Sequence, residues 1–216
     1  RSKPNDKYNI YFRPSIGYRN ETINTANKSV TSGEMGKMNS SDAVTSSHAD
    51  EIYTNGNLFG TLKNLGKEKR NLNMGVSYGF AQSDRTTREL SELAMAESKT
   101  VKDLSYLADV QNLNLSGNLE YSEPLAEKWA FQAGILSMYS AKENTKDAWN
   151  ADGTFNDYYS SVSDNYYLRE KGSLEVQFSN DTSTVQFGVA VEAVNNEVRA
   201  KSLGVETLTG KDEWLV

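Results

Sequence analysis

The chain holds one histidine and no cysteine, so imidazole chemistry would have to begin at His48, with Asp50 and Glu51 beside it. As a metal ligand or general base His48 lacks partners at the usual spacing, and a solvated histidine is the expectation. The run Asn150-Ala151-Asp152-Gly153 suggests a calcium loop. With Asp152-Gly153 at the fifth and sixth places, however, the first falls on Ala148 and the twelfth on Tyr159. Both essential carboxylates are missing, which leaves an Asp-Gly turn. Asp147, Asp157 and Asp164 nearby read as solvated groups. Glu120 and Glu123 could share general acid and base work only in one pocket, yet alternation sends Glu120 to a strand face and a turn takes Glu123. Without cysteine there is no thiolate, disulfide or Cys-based metal site. The expectation is a non-enzyme with no catalytic residues, no metal site and no cofactor.

The elements that would position these groups follow from composition and period. The chain has 216 residues, 37% of them hydrophobic, with a formal charge of −6, and its mean hydropathy is −0.65. That length allows one domain or a piece of one, taken here as a single partial domain over 1–216. No stretch approaches the ~18 unbroken apolar residues that a spanning helix needs. The mild acidity argues against nucleic acid as a partner, because phosphate binding gathers basic residues on one face. Arg1 opens the chain and 212–216 reads as a strand just starting. An internal window of a longer protein is expected, so a missing signal peptide is uninformative.

Strict period-2 alternation is the strongest signal. In 7–19 it places Tyr8, Ile10, Phe12, Pro14, Ile16 and Tyr18 opposite Tyr11, Arg13 and Arg19. In 71–82, Leu72, Met74, Val76, Tyr78 and Phe80 alternate with Asn, Gly, Ser and Ala. In 112–122, Leu113, Leu115, Leu119 and Tyr121 stand against Glu120 and its polar neighbours. Leu168, Leu174, Val176 and Phe178 oppose Arg169, Lys171 and Glu175 in 167–179. Val185, Phe187, Val189 and Val191 oppose Glu192 in 184–193. Less regular strands are read at 52–63 and at 129–140, where Leu136 and Met138 fall opposite Trp129, Phe131 and Ile135. About seven strands and the opening of another emerge, each near ten residues, longer than the usual 5–6. Tilted near 45°, ten residues climb roughly 23 Å, close to the apolar band of a membrane barrel.

Links at 64–70, 122–128 and 180–183 are short and carry turn chemistry. Those at 20–50, 83–110, 141–165 and 195–212 are long and polar. Within them, 29–47 reads as mobile loop, and Leu90, Leu93, Ala94 and Glu97 recur at helical spacing. Alternating short and long connections suit an up-and-down transmembrane barrel with tight turns at one rim and long loops at the other. The lipid-facing set is then Ile10, Phe12, Ile16, Leu72, Met74, Val76, Leu115, Leu119, Leu174, Val176, Phe178, Val185, Phe187, Val189 and Val191. The lumen-facing polar set is Arg13, Arg19, Glu120, Arg169, Lys171, Glu175 and Glu192. Glu170 shares the parity of Leu174, and eight tilted residues from Phe178 put it roughly 19 Å up, near the outer interface.

The blocks "YNIYFRPSIGYRN", "NLGKEKRNLNMGVSYGFAQSD", "LNLSGNLEYSEPLAEKWAFQAG" and "NYYLREKGSLEVQFSND" resemble the outer-membrane β-barrel family of Bacteroidetes-type bacteria, as in TonB-dependent receptor-like proteins. The nearest echoes are Y-S-E-P-L-x-x-K-W at 121–129, K-E-K-R-N-L at 67–72 and Y-L-R at 167–169. The resemblance implies an outer-membrane location, an arc of a larger barrel, and a plug domain outside this chain. It also implies passage or binding of an unknown solute, an energy-coupling inner-membrane complex and an outer-membrane lipoprotein as partners. It supplies no catalytic residues. A secreted all-β adhesin or lectin-like module and a purely structural barrel are the rival expectations.

Overall fold

The computed structural model describes residues 7–33, 36–95, 98–203 and 205–215. It is all-β. Eight antiparallel strands run β1 (Tyr8–Gly33), β2 (Gly36–Lys63), β3 (Asn71–Met95), β4 (Ser98–Ala126), β5 (Trp129–Asn150), β6 (Ser161–Ser179), β7 (Thr184–Ser202) and β8 (Val205–Leu215). Each pairs only with its chain neighbours, in the order β1 to β8, and the single sheet stays open. Two free edges result. Among the described residues, the first part of β7, from Thr184 to Val191, is paired with β6 alone.

The strands are far longer than the expected ten residues: β1 has 26, β2 28 and β4 29. This corrects the reading of 20–50 and 83–110 as long loops. Within 29–47, β1 runs to Gly33 and β2 starts at Gly36, and β3 continues through Leu90, Leu93 and Ala94, where helical spacing suggested a helix; Glu97 lies outside the described residues. The physical reason is pairing. β3 is laddered on both sides from Asn71 to Met95, and a helix there would strip partners from two neighbouring strands. The links at 141–165 and 195–212 also shrink, to a turn-rich segment between β5 and β6 and a tight turn after Ser202. At the opposite rim β4 absorbs most of 122–128.

Beyond the apolar rows, charge replaces hydrophobicity as the cross-strand glue. Arg88 meets Asp103 (3.2 Å), Glu89 meets Lys102 (3.0 Å) and Glu92 meets Lys99 (2.8 Å) along the β3–β4 hairpin. Lys28 pairs with Asp42 between β1 and β2 at 3.2 Å, and Arg199 with Glu206 between β7 and β8 at 2.9 Å. Each such pair contributes about 0.2–1 kcal/mol, so the hairpins depend on many of them. A small buried cluster also lies here. Leu104, Tyr106 and Ala148 are buried together, with Ala148 fully enclosed. Tyr106 donates to Glu89 (3.0 Å), and the Lys146 and Lys102 ammonium groups lie over the rings of Tyr106 (4.9 Å) and Tyr159 (4.6 Å).

Elsewhere, among the described residues, buried apolar side chains are nearly absent from the sheet, Ala49 being the exception. Its surface is 15048 Å², against ~9,900 Å² for a soluble globular monomer of this mass. Large apolar side chains stand open on it: Ile16 is 80%, Phe187 70%, Val189 67% and Ile135 64% exposed.

Register shows what those side chains have in common. Partners across a ladder share a face, and Tyr8–Leu62–Leu72–Tyr121–Ala133–Leu174–Val189 is one continuous row. Every residue expected to meet lipid lies on that face. The upper edge of its apolar band also drifts. It ends at Tyr18 in β1, at Phe80 in β3, at Leu168 in β6 and at Ala193 in β7. The β7 residue in the row of Tyr18 is Arg199, so the band has slipped by six residues over six strand-to-strand steps. About 20 Å of slip over about 29 Å of sheet is a strand tilt of roughly 35° against the band, at the lower limit of the 35–45° of barrels.

The band has marked borders. Below it, Arg70 in the turn after β2 forks onto Glu123 (2.6 and 3.0 Å), with Tyr121 donating to the same carboxylate at 2.5 Å. The hydrogen bonds from Arg70 and then Tyr121 lower the Glu123 carboxyl to about 2. Above it, Asp50, Asp84 and Asp109 stand side by side in one row. Just past Leu168, Tyr166 donates to Glu143 at 2.9 Å, which raises its phenol to about 12.

Candidate functional site

The opposite face is polar, and the ladder places Arg13, Arg19, Glu120, Arg169, Lys171, Glu175 and Glu192 on it together. Alternation does this locally, because each is an odd step from the aliphatic residues of its strand. Tertiary pairing then decides which of them meet. Glu120, Lys171 and Glu175 line one groove of about 470 Å³ with Gln132, Ser173 and Asn118. Its floor is Gly134, where a Cβ would stand 2.8 Å from the Ser173 hydroxyl. Glu175 accepts from Gln186 at 2.5 Å, and Gln132 donates to Gln177 at 3.3 Å.

Beside this groove Arg169 forks onto Glu192 at 2.8 and 2.7 Å, each partly exposed. The bidentate geometry fixes both side chains. Arg13 and Arg19 stand apart on β1. The Arg13 guanidinium caps the Tyr11 ring at 4.9 Å, Tyr11 stacks on Phe59 at 5.5 Å, and Arg19 reaches Glu51 at 3.6 Å.

A second lane was not legible from charge. Asn55, Asn57, Ser77, Asn114, Ser116 and Ser140 border a groove of about 450 Å³ on the same face. Ser77 and Ser116 share a hydrogen bond at 2.5 Å, and Ser140 donates to Asn114 at 2.8 Å. The signal was present in the sequence as Asn and Ser at alternate positions of 71–82 and 112–122. Such neutral groups carry no charge pattern to single them out from other strand-face polar residues.

The sequence candidates for chemistry are not assembled. His48 lies in β2 with Nδ1 3.0 Å from the Thr22 hydroxyl and Nε2 3.4 Å from Asp50. Asp50 is held below the usual carboxylate range by hydrogen bonds from Tyr18 and then Asn20. Asp152 folds its own turn, accepting from the Thr154 amide (3.0 Å) and hydroxyl (2.6 Å), with Gly153 at φ +81. Among the described residues no group of His, Asp and Glu is arranged to hold a metal ion. What the polar face offers is ionic and amide recognition across a wide wet surface. No protein-family model matches the chain, and no curated protein matches its sequence.

Proposed function

We propose that this chain is an arc of a transmembrane β-barrel in a bacterial outer membrane, of the TonB-dependent receptor-like kind. Its polar face lines a lumen through which a solute is bound or admitted. The observation that carries this is the predominantly apolar band along one face, which slips six residues against the register. A band that runs level while the strands run tilted is what a bilayer imposes on a barrel wall. In hydrocarbon an open strand edge leaves backbone groups unsatisfied, so further strands pair with the edges of β1, β7 and β8. Glu120, Lys171, Glu175 and the Arg169–Glu192 pair contact solute from one quadrant, with the amide and hydroxyl lane next to them. Energy coupling through an inner-membrane complex, and a lipoprotein partner outside, belong to the same proposal.

Because the chain has no cysteine, single-cysteine scanning tests it directly. In full-length protein reconstituted in vesicles, Cys at Ser173, Glu175 and Gln177 is expected to react with a charged maleimide. Cys at Leu174, Val176 and Phe178 is expected to resist it and to quench with a lipid-borne probe. A detergent-independent soluble protein with both sets equally reactive would favour the adhesin-like alternative and end the membrane assignment.

A further inference from the structure

The aliphatic face is not evenly walled. At Gly172 of β6 an added Cβ would meet nothing within 4 Å, whereas at Gly56 on the same face it would strike the ring of Tyr78 at 2.6 Å. Gly172 and Ala133 therefore floor an open groove of about 460 Å³, walled by Leu119, Ile135, Leu174 and Val191. No charged side chain borders it. Its size suits a small-molecule ligand rather than packing noise.

Directly above Gly172 on the same face stands Glu170. Its ladder neighbours are Ser137 and Ala193, both small, so the carboxylate is unscreened on either side. Its chain neighbours Arg169 and Lys171 belong to the opposite face, and Arg169 is engaged by Glu192. Among the described residues Glu170 has no hydrogen-bond or ion-pair partner. Asp212 and Asn195 join it around a second depression of about 260 Å³, where Asn195 donates to Asp212. One residue pair up the strand from the aliphatic groove, this second depression thus carries uncompensated negative charge.

We propose that Gly172 and Glu170 form a specific lipid site: one acyl chain fills the groove, and a primary ammonium headgroup donates to the Glu170 carboxylate. This rests on the barrel assignment above. Charge complementarity selects the headgroup, since Glu170 and Asp212 repel a lipid that is only anionic while an ammonium neutralises them. A partner strand is disfavoured because β5 and β6 are laddered on both edges here, so only side chains are offered. The two-residue step from Gly172 to Glu170 spans about 7 Å along the strand, enough to seat the first methylenes below the headgroup.

The test is native mass spectrometry of the full-length protein with phosphatidylethanolamine and, separately, phosphatidylglycerol of the same chains. The wild type is expected to retain one phosphatidylethanolamine and to release phosphatidylglycerol. Gly172→Phe, which projects into open space, is expected to abolish retention. Glu170→Gln removes the charge-assisted hydrogen bond and is expected to weaken retention roughly tenfold. Equal retention of the two lipids by the wild type, unchanged retention in Gly172→Phe, or a second copy of the chain in place of lipid would each overturn the proposal. The wild-type comparison needs no variant, so misfolding cannot mask the outcome. Failure of the barrel assignment would register separately, as loss of the alternating maleimide pattern.

Discussion

Val189→Arg in β7 is the sharpest perturbation, because its neighbour Ala190 supplies the control. Val189 is 67% exposed and lies midway between Val185 and Ala193, the limits of the apolar band on this strand. At a tilt of roughly 35° each residue climbs about 2.7 Å, so both limits are about 11 Å away, and the proposed barrel puts Val189 near the bilayer midplane. Arg there is expected to cost about 2–4 kcal/mol, a roughly 30- to 900-fold shift toward the unfolded state. Ala190 faces the polar side in a row with Ser173, and Ala190→Arg is expected to change stability by no more than about 0.5 kcal/mol. The assay is reversible denaturant unfolding of the full-length protein in lipid vesicles. Val185→Arg and Ala193→Arg complete a depth series, each expected near 0–1 kcal/mol. Equal costs at 189 and 190, or a series without a maximum at 189, would refute the claim that hydrocarbon covers this face.

The Arg70–Glu123 fork makes the turn at 64–70 acid-sensitive. The Glu123 carboxyl titrates at about 2 when folded, below its ordinary 4.5. Its stabilisation is therefore complete above about pH 4.5 and is lost as pH falls through 2. Protection of the Leu65 and Arg70 amides, which bond to Arg70 and Lys67 carbonyls, should fall across that window, and Glu123→Gln should flatten the profile. Ala148 is fully enclosed, so Ala148→Leu should overpack the small cluster by about 1–3 kcal/mol. Limited proteolysis with chymotrypsin at Tyr158 and Tyr159 reads that loosening. Glu89→Gln strips Lys102 of its charged partner and should speed amide exchange in the β3–β4 hairpin above the band, an effect that high salt reproduces in the wild type.

The sequence by itself determined the strand class, the phase of each strand and the two faces. Alternation is a local property, and each aliphatic residue from Ile10 to Val191 declares its side through its immediate neighbours. It also marked the turns at 64–70 and 180–183, where Asn64, Gly66 and Asn180 carry the geometry. The tertiary structure alone decided how far the strands extend. Segments such as 83–95 lack an apolar stripe, and only partners such as Asp103, Lys102 and Lys99, brought over by the ladder, make them strands. Register likewise decided that Arg169 meets Glu192, that Glu120, Lys171 and Glu175 share one groove, and that Gly172 lies open beneath Glu170. A one-residue slip would exchange every face and dissolve all three, and no period within a single strand specifies which residue of its neighbour it will oppose.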